Sequence, residues 1–457
     1  MKQPKIGVAA VVAAMVVVLV GACSSAATVA PAQSSAPASI AVPSTAASTP
    51  ASSAAASAAA SAAAGPSAGV TFGSLAGLGF GKPVSSTSTT PAEVSQPLVS
   101  PAPAAAAGSS TTMTYTGGSF TVSPRIATKI QNKQSLNFVI SYPYITIAGA
   151  SAQLGAGAKQ AADLIEQTYG IKVNTTVIGT PNPDPTTQIG QIQSGFSSNQ
   201  YDCAAIDPNP PGAFNNLIKT MMGAGVPVFT INADSPDSAR IATSMTDDNP
   251  DTVSMASALQ MGKINAQYAI QWAQQNGQTF DGKKVALITG DATAPWAQGR
   301  LLGFVDGLKA AYPNVQIVGD PMNAYMVGFD TATVLAKLQS FMTAHPDVFF
   351  YYSSDWGGVQ IAQLIQRNNL QGKVFGMGFN LNAVYVDLIK QNLLIGTNDQ
   401  RYDLQGYDAM IMCANVLLAH VMPSSPYQWV TPDIWNASNI DTALQLYAKI
   451  PNSGVTQ

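Results

Sequence analysis

The chain has 457 residues, 46% of them hydrophobic and 10% charged, with a formal net charge of −3. That length suggests two or three domains, and the charge balance leaves no basic footprint for nucleic acid. Only two histidines occur, His345 and His420, too few for a His-based metal site or a Ser-His-Asp triad.

The N-terminus reads as a targeting segment. Lys2 and Lys5 form a positive n-region, and the apolar run Ile6 to Val20 is short for a membrane span. The run ends in "LVGAC", Leu19 to Cys23. Small residues directly before a cysteine resemble the lipobox of bacterial lipoproteins. That resemblance implies a signal peptide over 1–22, lipidation of Cys23 and an extracytoplasmic protein anchored to the cell membrane. From Ser24 the composition is Ala, Ser, Pro, Thr and Gly with almost no charge. Such a segment buries too little apolar surface to offset its ordering entropy, so 23–118 is expected to be a disordered tether.

From about Ser135 strands and helices alternate. Strand-like runs lie at 137–142, 171–179, 201–207, 226–232, 284–290, 314–320, 347–354, 373–379 and 393–399. Helical patterns separate most of them. In "GAGAKQAADLIEQTYG" the residues Ala158, Ala161, Ala162, Ile165 and Tyr169 form one stripe, which stops at Gly170. Strands alternating with helices of this length mean βαβ units and parallel sheets. About 320 residues exceed what one core serves, which points to two α/β lobes. Cys203 and Cys413 both sit in apolar surroundings. Two buried thiols are expected there rather than a bridge, because sequence supplies no disulfide geometry.

In open α/β sheets, ligands bind beyond the carboxyl ends of strands. Those ends carry Tyr142 and Tyr144, Asn232, Ser354, Asp355 and Trp356, Asn380, and Gln400. Past Asn232, Asp234 and Asp237 are read as loop organisers, with Asp237 the expected partner of Arg240. Trp429 and Trp435 are read as packing. No G-x-S-x-G, P-loop, H-E-x-x-H or G-x-G-x-x-G occurs, so no enzyme, cofactor or metal is expected.

Six motifs in order then carry a resemblance: "VPVFTINADSPDSAR" (226–240), "TSMTDDN" (243–249), "WAQGRLLGF" (296–304), "VGFDTATVLAKLQSFMTAHPDVFFYYSSDWGG" (327–358), "VFGMGFNLN" (374–382) and "NDQRYDLQGYDA" (398–409). Together the chain resembles the type I periplasmic sugar-binding proteins of ABC importers. The resemblance implies two Rossmann-like lobes with parallel sheets joined by three hinge crossings, near 247–249, 400 and 430. It places the N-terminal lobe at 135–247 plus 401–430 and the C-terminal lobe at 248–400 plus 431–457. It assigns ligand contacts to Asn232, Asp247, Arg300, Phe329, Ser354, Asp355, Asn380 and Gln400, with Tyr142, Tyr144, Trp296 and Trp356 as aromatic surfaces. It implies a monomer that holds a sugar, polyol or related small molecule and serves an ABC permease, touching the membrane only through its lipid. A ligand-sensing receptor for a signalling partner is the alternative use of the same clamshell. Asn232 and Asn380 stand where that family usually carries carboxylates. An amide donates as well as accepts, which implies a ligand offering acceptors alongside hydroxyls.

Overall fold

All nine strand runs form parallel β-strands in two separate sheets. The computed structural model describes residues 97–100 and 111–456, apart from 146, 148, 182, 247–254 and 320–323. The elements of the first part are β1 (Thr112–Tyr115), β2 (Gly118–Thr121), α1 (Pro124–Gln131), β3 (Leu136–Tyr142), α2 (Ala150–Tyr169), β4 (Val173–Gly179), α3 (Pro185–Ser197), β5 (Cys203–Ile206), α4 (Asn215–Gly223), β6 (Val228–Ile231) and β7 (Thr243–Thr246). The second part holds α5 (Met255–Gln275), β8 (Lys284–Thr289), α6 (Pro295–Ala311), β9 (Gln316–Val318), β10 (Tyr325–Met326), α7 (Thr331–Ala344), β11 (Val348–Ser353), α8 (Gly358–Arg367), β12 (Phe375–Phe379), α9 (Ala383–Lys390) and β13 (Gly396–Asp399). The chain then returns through α10 (Tyr402–Ala414) and β14 (Tyr427–Val430), and crosses again to β15 (Asp433–Trp435) and α11 (Ile440–Tyr447).

The first sheet has the order β14-β7-β6-β5-β3-β4 and is parallel throughout. The second runs β10-β8-β11-β12-β13-β15, with β9 also pairing β8, and only β15 is antiparallel. Period-two alternation feeds the two faces of the second sheet. Ala286 and Ile288 enter one apolar cluster, whereas Val285 and Leu287 enter another. The chain passes between sheets after β7, after β13 and between β14 and β15.

Regular structure lies inside the stretch that composition marks as tether. β1 already pairs with β2, burying Met113 and Phe120. Upstream, Val99 N–H donates to Asn415 Oδ1 at 2.9 Å, and Asn415 Nδ2 returns a bond of 3.1 Å to the Pro97 carbonyl. The tether expected to reach 118 therefore overlaps structured residues at 97–100 and from 111. A few well-placed apolar side chains suffice for a hairpin, and averaged composition hides them. The signal segment 1–22, Cys23 and most of 23–118 lie outside the described residues.

Two further expectations are corrected. Cys203 and Cys413 form a disulfide with Cα atoms 6.0 Å apart, tying β5 to α10. A strand and a helix 210 residues apart in sequence meet only through the fold, which is why apolar flanks alone favoured thiols. Arg240 pairs not with Asp237, which is exposed, but with buried Asp234, through Nε to Oδ1 and through Nη2 to Oδ2 at 2.5 Å. Asp234 also accepts from Thr230 Oγ1 at 2.8 Å, so the ion pair pins the loop back to β6.

Candidate functional site

Between the two sheets lies a cavity of about 400 Å³, part of it open to solvent. Its first-lobe walls are Tyr142, Tyr144, Ile147 and Asn232, and its second-lobe walls are Trp296, Arg300, Phe329, Asp355, Trp356 and Asn380. Gln400 and Tyr402 close it at the second crossing. Ten of the twelve residues singled out from the sequence are thus brought together. Ser354 is fully buried behind the wall, its hydroxyl bonded to Thr289 Oγ1 at 2.9 Å and its carbonyl accepting from Arg300. Asp247 lies outside the described residues. Tyr402 and Ile147 were not anticipated. Tyr402 follows Gln400 by two positions and opens α10, so a helix start directly after a crossing was the available signal.

Arg300 organises the second-lobe side. It sits in the second turn of α6, where the helix dipole disfavours a cation, so its partners must compensate. Nη1 donates to the Ser354 carbonyl at 2.9 Å and Nη2 to Gln400 Oε1 at 2.6 Å. The guanidinium lies 4.3 Å from the centroid of the Phe379 ring and 5.1 Å from that of Trp296, a geometry that favours a cation. Burial nonetheless pushes its pKa down from the usual arginine value. α6 is held against α5 at backbone distance: a Cβ on Gly262 would lie 2.1 Å from the Arg300 carbonyl oxygen. Glycine at 262 therefore fixes where the guanidinium starts.

Gln400 relays the arrangement. Its Nε2 donates to Asn380 Oδ1 at 2.7 Å and to the Tyr402 hydroxyl at 3.1 Å. Tyr142 of the first lobe donates to the Tyr402 hydroxyl at 3.2 Å. Asp355 is buried, and burial raises its pKa, against which the Gly290 N–H at 2.5 Å and the Gly357 N–H at 3.2 Å stabilise the anion. Phe329 reaches the cavity over Gly290, where a Cβ would come within 2.4 Å of the ring. The ring then packs against Tyr144 of the opposite lobe with centroids 4.9 Å apart.

On the first lobe, Asn232 Nδ2 donates to Asp207 Oδ2 at 2.9 Å. Asp207 follows β5 as Asn232 follows β6, and sequence reading passed it over. Burial pushes its carboxyl up to about 7, against the pull of the Asn232 amide and of Arg300. Asn232 and Asn380 both adopt left-handed backbone, with φ of 60° and 74°, a region where asparagine is enriched. Among the described residues no partner meets Arg300 Nε, Asn232 Oδ1 or Asp207 Oδ1. Nor does any group of His, Cys, Asp and Glu there have the makings of a metal site.

A family described as "Periplasmic binding protein domain" matches residues 138–419. A curated relative, the xylose/arabinose-binding protein XylF of Sulfolobus acidocaldarius, is 24% identical over 246 residues, covering 50% of this chain and 55% of that protein. The chain thus matches little more than half the length of this relative. A solute-binding protein of an ABC transporter from Burkholderia graminis, solved in complex with D-arabinose, has a TM-score of 0.56 at 22% identity, covering 67% of this chain and 97% of that one. A XylFII–LytSN complex gives a TM-score of 0.54 at 18% identity, over 67% of this chain and 99% of that one. At these identities the structural likeness speaks to the fold.

Proposed function

This chain belongs to the periplasmic binding protein family, a family of binding proteins rather than enzymes, and from that premise we propose that it captures a small neutral polyhydroxyl ligand, a sugar or polyol, between its two lobes. The observation that carries the reading is the pairing of opposed walls. Aromatic faces at Tyr142, Tyr144, Trp296, Phe329 and Trp356 supply apolar area for C–H surfaces. Between them, Arg300 Nε offers a buried donor and Asn232 Oδ1 a buried acceptor without protein partners, and buried polar atoms of this kind seek partners. The names of the relatives, one for xylose and arabinose and one with D-arabinose bound, agree with this ligand class.

Closure would turn on the connections after β7, after β13 and between β14 and β15, where small φ/ψ changes suffice for a hinge. The lipobox-like "LVGAC" supports an extracytoplasmic protein held to the membrane by Cys23, and the family supports delivery of ligand to an ABC importer permease. A sensory role is the second reading, supported by the neighbour solved as a complex with LytSN.

A thermal-shift screen of pentoses, hexoses, polyols and small lactones tests the ligand class. A true ligand at 100 times its Kd adds roughly 2.7 kcal/mol of stability. No shift with any of them would overturn the reading. Co-purification with a permease and ATPase, or with a sensor protein, separates import from sensing.

A further inference from the structure

The cleft cavity does not end at its second-lobe wall. A groove of about 950 Å³, part of it open to solvent, adjoins it, and Ile147, Phe329, Asp355 and Trp356 line both. Beyond these four, the groove runs between the amino ends of three helices: Thr331 and Val334 on α7, Val359, Gln360 and Gln363 on α8, and Asn382 and Val384 at α9. Resting on the reading that the cleft holds a neutral polyhydroxyl ligand, we propose that this ligand is a disaccharide, with one unit in the cleft and the second in the groove.

Three observations select that occupant. The first is Gln360, which is only 9% exposed and lines the groove. Its side-chain amide makes no hydrogen bond among the described residues. Its amide atoms still reach solvent, so they are open to a ligand as one donor and one acceptor, and a hydroxyl group answers both at once.

The second is charge. The groove has no Lys, Arg, His or Glu in its lining, and its one carboxylate, Asp355, is engaged by the Gly290 and Gly357 N–H groups. Helix amino ends could attract an anion, but side chains cap two of the three, α7 and α9. Asp330 accepts from Thr333 N–H at α7, Asp355 from Gly357 N–H before α8, and Asn382 from Tyr385 N–H at α9. A phosphorylated second unit would meet no cation in this lining.

The third is the sill between the compartments. Phe329 and Trp356 are each half-buried and belong to both linings. Trp356 is held by Tyr385 at 6.3 Å, edge to face, and Phe329 by Tyr144 at 4.9 Å. Fixed aromatic surfaces at the junction suit the C–H faces of two linked rings.

Calorimetric titration of the full chain with D-xylose, D-glucose, xylobiose, cellobiose and maltose tests this. At least one disaccharide should bind roughly tenfold more tightly than its own monosaccharide. Gln360→Ala should erase that advantage while monosaccharide affinity stays within about twofold. Val384→Trp fills the groove from an exposed position (Val384 is 45% exposed), so it tests the same point without disturbing the core. Monosaccharides binding as tightly as every disaccharide, or an advantage that survives both variants, overturns the two-unit ligand but leaves the cleft reading standing. Failure of all five sugars to bind overturns the cleft reading itself.

Discussion

Replacing Asp207 by Asn isolates the cost of a buried carboxyl at the cleft. Its folded-state pKa of about 7 exceeds the ordinary value of 3.8 because burial disfavours the anion. The folded protein therefore holds a proton that the unfolded chain has lost between those two values. Stability must fall as pH rises through that window and level off above about 7. A rise of about three units, at 1.36 kcal/mol each, amounts to about 4 kcal/mol. Between pH 5 and pH 8 the wild type should lose nearly 3 kcal/mol from this group, by the same ~1.36 kcal/mol per unit. Asp399 adds a loss of the same sign, because burial pushes it up to about 6 despite Arg401. For that reason the informative quantity is the difference between Asp207→Asn and wild type in urea unfolding, not either curve alone. That difference should shift by about 3 kcal/mol in the variant's favour from pH 5 to pH 8. An offset that is the same at both pH values would refute the burial argument, whatever its size.

Arg300→Ala removes the donor at the centre of the second-lobe wall and should weaken sugar binding by roughly 10- to 100-fold, the worth of a charge-assisted bond, with circular dichroism unchanged; unchanged affinity in calorimetry would remove Arg300 from the site. Asp234→Ala strands the buried Arg240 guanidinium and should cost about 3–5 kcal/mol in denaturant unfolding, far more than Asp237→Ala, whose side chain is exposed. Reduction of Cys203–Cys413 opens a link across 210 residues, and loop-closure entropy sets its contribution at up to about 5 kcal/mol, read as a lower urea midpoint under reductant.

Much of this molecule was legible because parallel strands advertise themselves. Buried on both faces, they read as unbroken apolar runs, and the rule that ligands gather beyond their carboxyl ends picked seven residues that line one cavity, the resemblance adding Trp296, Arg300 and Phe329. The same rule, applied to the run ending at Asp207, would have reached that residue as well. What escaped was long-range pairing. The Cys203–Cys413 bridge, the Arg240–Asp234 pair and the docking of Pro97–Val99 on Asn415 each depend on how elements meet. The β1–β2 hairpin escaped for a different reason: two strands of four residues carry too few apolar positions to stand out in an alanine-rich stretch.

The two asparagines change meaning once the backbone is known. From sequence, amides in place of carboxylates at 232 and 380 spoke for an unusual ligand. Both residues occupy left-handed conformations that suit asparagine independently of any ligand. At 232 a second cause is local: its amide donates to Asp207, and an aspartate there would set two buried carboxylates against each other, which raises the pKa of one of them strongly. Asn232 is thus accounted for by Asp207. Asn380 is different, because its Oδ1 accepts from Gln400 Nε2, a role an aspartate oxygen fills equally well. Any ligand argument from these amides therefore rests on 380 alone, where the left-handed backbone is the one structural account.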